Sequence, residues 1–322
     1  MPIAEKALIA KIRGHAERVG RRRGLVAGIG DDCAVLRFPA GHEVLVTTDF
    51  SLEGVHFRRE WHPPDVVGHR CLTRGLSDIA AMGGEPVAAF LSLALPGKLP
   101  QRWVDEFLRG LLKLANQFHV PLAGGDTAES PDGILADIVV LGSVPKGRAI
   151  LRSGARPGDR IYVSGTLGGA AATLEILRRN PRRKLRPADY PAHFYPVPRV
   201  VLGRILREKR IPSAMIDVSD GLSTDLAHIC EESGVGAEIR AEAVPRGRLG
   251  KWRQEVDLRF ALHGGDDYEL LFTAAGHKKL PARIAGVPIT QIGSITRRRE
   301  FFLIQNGVRK KFFAHGWEHF GR

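Results

Sequence analysis

Aspartate in this chain gathers into six short clusters, and an apolar run leads straight into the carboxylate in at least four of them. The clusters are Gly28-Ile29-Gly30-Asp31-Asp32, Thr47-Thr48-Asp49, Ser77-Asp78, Gly124-Gly125-Asp126-Thr127, Asp217-Val218-Ser219-Asp220-Gly221 and Gly264-Gly265-Asp266-Asp267. Strand-like runs that end in Asp and Gly place their carboxylates at element ends, facing a cleft. Adjacent carboxylates repel, by ~1 kcal/mol in water at about 4 Å and ~4 kcal/mol at an effective dielectric near 20. Repeating that arrangement calls for a compensating cation. Oxygen donors from Asp and Thr, with no His/Cys cluster, select Mg2+ rather than zinc. The neighbouring glycines supply sharp turns and let backbone N–H groups approach phosphate oxygens. Any one cluster also has a plainer reading as a cap or turn, and Asp220-Gly221 before a helix is a candidate N-cap. Six together are harder to read that way. The spacing from Asp217 to Asp225 does not fit an EF-hand loop.

A length of 322 residues favours two domains. The first half predicts a helix over 2–19, a strand over 43–49, a helix over 65–82 closed by Gly83-Gly84, and a strand over 86–95. A helix over 101–118 follows, with Trp103, Phe107, Leu111, Leu114 and Phe118 on one stripe, and then strands over 120–123 and 133–144. The Gly/Pro/Arg-rich stretch 145–159 marks a boundary between domains 1–147 and 148–322. Beyond it come a strand over 160–164, a helix over 170–177, a strand over 214–218, a helix over 221–232 and a strand over 268–274. Five prolines within 180–198 predict a surface excursion. Both halves mix strands and helices, so the fold class is α/β with mixed sheets.

No run approaches the ~18 uncharged apolar residues of a membrane span. The first residues lack the apolar core of a secretory signal. Three widely spaced cysteines, Cys33, Cys71 and Cys230, form neither a disulfide framework nor a zinc site, so a soluble cytoplasmic protein is expected. Lys+Arg number 48 against Asp+Glu 35, and the net charge of +13 points to a polyanionic partner, nucleic acid or a phosphorylated small molecule. The basic runs at 21–23, 182–184 and 297–299 read as solvated faces, and aromatics, at 7%, do not interleave with them. Nucleic acid is therefore the weaker alternative. There is no G-x-x-x-x-G-K-[ST] loop, Gly28-Ile29-Gly30 runs on into Asp-Asp, and kinase H-R-D and D-F-G sets and a G-x-S-x-G elbow are missing. Bound phosphate would be held by metal, glycine backbone and scattered Arg.

Taken together, GIGDDCAVL (28–36), TTDFSLEGVHF (47–57), LSDIAAMGGEP (76–86), GGDT (124–127), LRSGARPGD (151–159), VSGTLGG (163–169), IDVSDGLSTDL (216–226) and GGDDYELLFT (264–273) resemble the thiamine-monophosphate kinase family. That family lies in the superfamily of aminoimidazole ribonucleotide synthetase and selenophosphate synthetase. The stretches are collinear and cover most of 25–275, and HGWEHF (315–320) is also family-like. The resemblance implies a two-domain aminoimidazole ribonucleotide synthetase-like fold whose N-terminal strands pair across a homodimer, with ATP near that interface. The implied reaction carries the γ-phosphoryl of ATP to thiamine monophosphate. By motif position, Asp32, Thr47, Thr48, Asp49, Asp78, Asp126, Asp217 and Asp220 would bind several Mg2+ ions. Gly125, Asp126, Arg152 and Ser219 would contact ATP, and His56, Asp266 and Trp317 would hold the thiamine phosphate.

Two positions depart from the family pattern. Asp266 stands where Glu is usual, with a reach shorter by ~1.5 Å, and the helix from Gln101 lacks an expected Tyr. The nucleophile, a phosphate oxygen, is already ionised at pH 7, so no general base is required, and metals bridging both polyanions would align them. The rivals are a sister activity (ribonucleotide cyclo-ligation or selenide phosphorylation) and, from another class, a basic RNA-binding protein. Selenophosphate synthetases usually carry a reactive Cys in an N-terminal Gly-rich segment, and no Cys precedes Cys33.

Overall fold

The computed structural model describes residues 5–18, 24–30 and 32–317. They form two compact units, Met1–Ile79 with Gly84–Gly147, and Ala80–Gly83 with Arg148–Arg322.

The first unit opens with α1 (Glu5–Arg18) and the short ribbon of β1 (Leu25–Ala27) and β2 (Val35–Leu36). It continues with β3 (His42–Leu52), α2 (Pro64–Ala81), β4 (Glu85–Pro96), α3 (Gln101–Gln117), β5 (Leu122–Ser130) and β6 (Leu135–Pro145). Hydrophobic periodicity locates α2, β4 and α3 to within one residue at each end. Of the helix expected over 2–19, residues 2–4 and 19 lie outside the described residues. The sheet order is β3-β6-β4-β5, with β4 and β5 parallel and the other pairs antiparallel, so β3 and β5 are its edges.

Among the described residues of this unit, the helices α2 and α3 cover one face of the sheet. Along β3, Leu45 and Ser51 are buried, while Val44, Val46 and Phe50 on the alternate face are 48%, 66% and 54% exposed. On the covered face α2 lies so close that a Cβ at Gly75 would strike Val140. Helix α3 packs on α2 through its stripe of Val104, Phe107, Leu108, Leu111 and Leu114. The two helices approach backbone to backbone: a Cβ at Gly68 would collide with the Phe107 carbonyl, and one at Gly110 with the Asp65 carbonyl.

The carboxylates do not all sit at element ends. Asp49 lies inside β3 opposite Ile138, and Asp126 lies inside β5 beside Ser92, beyond the strand over 120–123 that the sequence predicts. The long β4 templates pairing past the glycines. Gly125, at φ +148°, fits where a Cβ would strike the Leu91 carbonyl.

The second unit runs β7 (Arg160–Ser164), α4 (Gly169–Arg179), α5 (Pro191–Phe194), α6 (Val200–Glu208), β8 (Ala214–Val218), α7 (Leu222–Ser233) and β9 (Gly236–Arg240). There follow the ribbon β10 (Arg248–Leu249) and β11 (Gln254–Glu255), then α8 (Leu258–His263), β12 (Glu269–Ala274) and β13 (Arg283–Ile284). The described chain closes with β14 (Val287–Thr296), β15 (Phe301–Gln305) and β16 (Val308–Lys311). The sheet order is β16-β15-β9-β14-β7-β12-β8, with β13 on β14, and β15 runs parallel to β9. Every residue of β8 and β12 is buried, and Leu226 and Ile229 of α7 pack on Ile161, Ile216 and Leu271. Apart from Asp217, Glu269 and Thr273 these two strands are apolar, as strands covered on both faces are.

One expectation needs correction here. Residues 181–184 are exposed, but the second half of the excursion folds back: Tyr190, His193 and Phe194 are buried, and the His193 ring lies 3.1 Å from the Ala170 carbonyl of α4. The prolines break this stretch into short turns without keeping it at the surface. The β10–β11 tip carries Trp252, 86% exposed between Lys251 and Arg253.

Candidate active site

In the first unit, strand alternation divides residues 47–49 between the two faces of β3. The Thr47 hydroxyl donates to the Asp78 carboxylate of α2, on the covered face that Asp49 shares. Cys71 of α2 lies beneath them; burial first, then the charges of Asp49 and Asp137, push its thiol up to about 12. Thr48 faces the uncovered side, and its Oγ1 donates to Asp137 Oδ1 at 2.7 Å. Asp137 is in register with Ser92, and Ser92 with Asp126, so Thr48, Asp137, Ser92 and Asp126 form a polar row on the uncovered face. The expected ligands thus fall into two groups, Thr47, Asp49 and Asp78 on one face and Thr48 and Asp126 on the other.

Asp32 lies in an exposed bend, and its neighbour Asp31 is outside the described residues. His56 follows β3 in a tight turn, where its Nδ1 accepts the Leu52 N–H at 3.0 Å. A neutral ring so held carries its proton on Nε2.

In the second unit, the turn after β8 gathers most of the expected residues. Gly221, at φ +116°, is the N-cap of α7 and makes no side-chain cap, so Asp220 does not fill that role. The buried Asp225 carboxylate takes over, with Oδ2 accepting the N–H groups of Gly221 at 3.0 Å and Asp220 at 3.3 Å. Burial, then the charges of Asp217 and Asp220, hold Asp225 well above the usual carboxylate range. The Asp266 N–H donates to the Ser219 carbonyl at 2.8 Å and the Trp317 N–H to the Asp220 carbonyl at 2.9 Å. Ser219, Asp220, Asp266 and Trp317 therefore meet at one turn, with the indole 47% exposed.

Arg152 stands apart. Its neighbour Leu151 accepts from Met215 near the opening of β8, so at ~3.3 Å per residue about 13 Å of strand separates that bond from Ser219. An extended nucleoside triphosphate has that reach. Of the final HGWEHF stretch, 318–320 lie outside the described residues.

Sequence reasoning missed the residues that hold this turn. Asp267, adjacent to Asp266, serves α4 instead: its Oδ2 accepts the Gly168 N–H at 2.7 Å, and burial raises its carboxyl well above the usual range. Tyr268, 1% exposed, donates its hydroxyl to Asp266 Oδ1 at 2.6 Å. Ser223 lies 2.9 Å from His263 Nδ1, and burial, then neighbouring His315, lowers that imidazole. Ser223 and Tyr268 lie within the quoted motifs, but only the three-dimensional turn gives them a task.

The donor chemistry suits a hard cation: carboxylates and hydroxyls, with the like-charged Asp217, Asp220 and Asp225 set close together. Among the described residues, no three His, Cys, Asp or Glu side chains form a group that could hold an ion unaided.

Comparison with known proteins agrees with this layout. Residues 30–144 match the AIR synthase related protein N-terminal domain, and 156–305 the corresponding C-terminal domain. The thiamine-monophosphate kinase of Salmonella typhimurium is 38% identical over 333 residues, covering 99% of each chain. The crystal structure of that enzyme from Stenotrophomonas maltophilia superposes with a TM-score of 0.81 at 37% identity, covering 96% of this chain and 99% of the other. AaThiL, solved as a complex with AMPPCP and TMP, gives a TM-score of 0.77 at 31% identity over 99% and 97% of the two chains. Escherichia coli HypE, a hydrogenase maturation protein, shares the fold alone, with a TM-score of 0.75 at 18% identity. Two mixed α/β units in this order, with the acidic motifs in place along nearly the whole chain, place the chain in the thiamine-monophosphate kinase family.

Proposed function

We propose that this chain transfers the terminal phosphoryl group of ATP to thiamine monophosphate, giving thiamine diphosphate and ADP by direct in-line displacement. The observation that carries this reading is the 38% identity to a thiamine-monophosphate kinase over 99% of the chain. The complex of AaThiL with AMPPCP and TMP supports the same pair of ligands.

The acceptor phosphate is ionised at neutral pH, so the obstacle is repulsion between two polyanions rather than removal of a proton. Mg2+, when bound, supplies charge neutralisation and a template for alignment. Asp32, Thr47, Thr48, Asp49, Asp78 and Asp126 would hold it in domain 1–147, and Asp217 and Asp220 would hold it in domain 148–322. The small carboxylate groups within each unit suit ions that draw their remaining ligands from phosphate oxygens and water. Gly125 gives ATP close backbone approach, and Ser219 and Arg152 would bind it at opposite ends of β8. The Nε2–H of His56 suits the acceptor phosphate. The Trp317 indole face suits the cationic thiazolium. Asp266 would repel a phosphate, so its carboxylate suits the amino-bearing ring of the substrate.

A homodimer is part of this reading. It is supported by the uncovered sheet face, where exposed Val44, Val46 and Phe50 present an apolar surface that a second copy would bury. Among the described residues, no helix is long and apolar enough to cross a membrane.

The test is to incubate purified protein with ATP, Mg2+ and, separately, thiamine monophosphate, formylglycinamidine ribonucleotide or selenide. Thiamine diphosphate and ADP should form with the first alone. ADP formed only with another acceptor overturns the proposal. The exposed Lys251-Trp252-Arg253 tip favours a second reading, RNA binding. That reading predicts a steep salt dependence of RNA affinity, and the kinase reading predicts no specific RNA binding at ~150 mM salt.

A further inference from the structure

We infer that Thr224 and Gly316 are positioning residues for Trp317: the last described stretch of the chain is a strap seated on the first turn of α7, and the seat presents the indole to the acceptor. The inference rests on the reading of Trp317 as a substrate contact.

Strand β16 ends at Lys311, and residues 312–317 belong to no helix or strand that would satisfy their backbone. Such N–H groups need partners elsewhere. Phe312 anchors the start, with its N–H donating to the Phe301 carbonyl at 2.9 Å and its ring buried in the core. Beyond Phe313 and Ala314, three consecutive N–H groups all find acceptors on one turn. His315 donates to Ser223 Oγ at 3.3 Å, Gly316 to Thr224 Oγ1 at 3.0 Å and Trp317 to the Asp220 carbonyl at 2.9 Å. The fit is close. A Cβ at Gly316 would lie 2.2 Å from the Asp220 carbonyl oxygen and 2.4 Å from Thr224 Oγ1, so glycine alone fits the seat.

The turn beneath is itself fixed. Asp266 and Tyr268 adopt left-handed backbone, at φ 65° and 52°, and donate their N–H groups to the Ser219 and Val218 carbonyls at 2.8 Å and 2.9 Å. L-residues keep such angles only where their surroundings impose them. The strap thus docks on a firm base, and the main chain of Trp317 is set before a ligand arrives. Without the seat, ordering the strap and its indole would be charged against binding.

Two variants test this from opposite sides of the contact, so one still reads if the other fails to fold. Thr224→Val keeps the side-chain shape and removes the acceptor; Gly316→Ala lifts the strap. Each is expected to raise KM and calorimetric Kd for thiamine monophosphate roughly five- to tenfold, the size of one lost hydrogen bond. A looser indole weakens ground state and transition state alike, so kcat should stay nearly unchanged, as should KM for ATP and Tm. In a Trp317→Ala background neither change should add to the loss.

Trp317→Ala is the reference. Wild-type binding of thiamine monophosphate by Trp317→Ala removes Trp317 from the substrate site, and the inference falls with that reading. Impaired Trp317→Ala beside normal binding in Thr224→Val and Gly316→Ala leaves the reading standing and overturns the seat. A rise in KM for ATP as large as that for thiamine monophosphate also overturns it, since the effect would then run through Ser219 and Asp220. A full further loss in the double variants does the same.

Discussion

Arg199 grips Glu269 through two hydrogen bonds, Nε to Oε2 at 2.7 Å and Nη2 to Oε1 at 2.5 Å, and the Ser164 hydroxyl adds a third to Oε2 at 2.5 Å. Glu269 is only 5% exposed. The three groups come from the start of β12, the residue before α6 and the end of β7, so one ionic contact ties three elements together.

Removing the cation would strand a buried charge. Arg199→Ala is expected to lower unfolding free energy by about 3–5 kcal/mol, and Glu269→Gln, which keeps an acceptor for Ser164, by less. Denaturant unfolding of both variants checks the order; a loss below about 1 kcal/mol for Arg199→Ala would show that the pair is relieved by solvent.

The helix crossing at Gly110 leaves no room for a methyl group. Gly110→Ala is expected to cost about 3 kcal/mol or more, although alanine favours helix elsewhere, because the obstacle is the Asp65 backbone and not a side chain that can turn away. Gly14, where a Cβ would meet nothing within 4 Å, is the control, and Gly14→Ala should be neutral or stabilising.

Thiol chemistry should separate the three cysteines. Burial pushes both Cys71 and Cys230 up to about 12, whereas Cys33 is exposed. The thiolate is the reactive form. Titration of native protein with a thiol reagent at pH 8 should show one fast group, and all three only after unfolding. Two or three fast groups would mean that α2 or α7 opens readily.

Asp49→Asn should cut turnover by orders of magnitude and leave the fold intact, since the amide is isosteric but does not neutralise a divalent ion. Steady-state kinetics at saturating Mg2+ provide the check. Near wild-type turnover there would remove Asp49 from the metal site.

The raised Asp267 carboxyl implies a pH dependence of stability. The folded state holds that proton more tightly than the unfolded chain, so its contribution is present at low pH and is lost as pH rises from about 4 through the raised folded value. Asp267→Asn cannot ionise, yet it still offers Gly168 an oxygen. The difference in Tm, variant minus wild type, should grow more positive from pH 5 to pH 8. A flat or falling difference would show that the α4 N-terminus keeps Asp267 charged.

Much of this architecture is legible from residue order because the long helices and β4 each present one uninterrupted periodicity. The motif glycines also carry local meaning: Gly125 and Gly221 have positive φ, and each leads or sits inside an acidic cluster. What residue order leaves out has a common cause. Thr47, Thr48 and Asp49 are contiguous, but a strand sends neighbours to opposite faces, so the division into Thr47 with Asp49 and Thr48 apart comes only from the pleat. Asp266 and Asp267 look equivalent in sequence, and only the approach of Gly168, 99 residues away, assigns the second to a helix cap. Glu269 reads as an ordinary strand residue because its partner is 70 residues distant. The partly buried stretch after Asn180 reads as a surface excursion because proline content reports turns and not exposure.

The left-handed backbone at Asp266 and Tyr268 has a bearing on engineering. Asp266→Gly would relax the main chain by about 1–2 kcal/mol, but it would also delete the carboxylate that accepts from Tyr268, whereas Tyr268→Gly would empty a buried ring site at a larger cost. A search for heat-tolerant variants that scored unfolding alone could therefore select Asp266→Gly and lose a side chain proposed to hold the acceptor, so screens of this chain need a ligand-dependent readout from the first round.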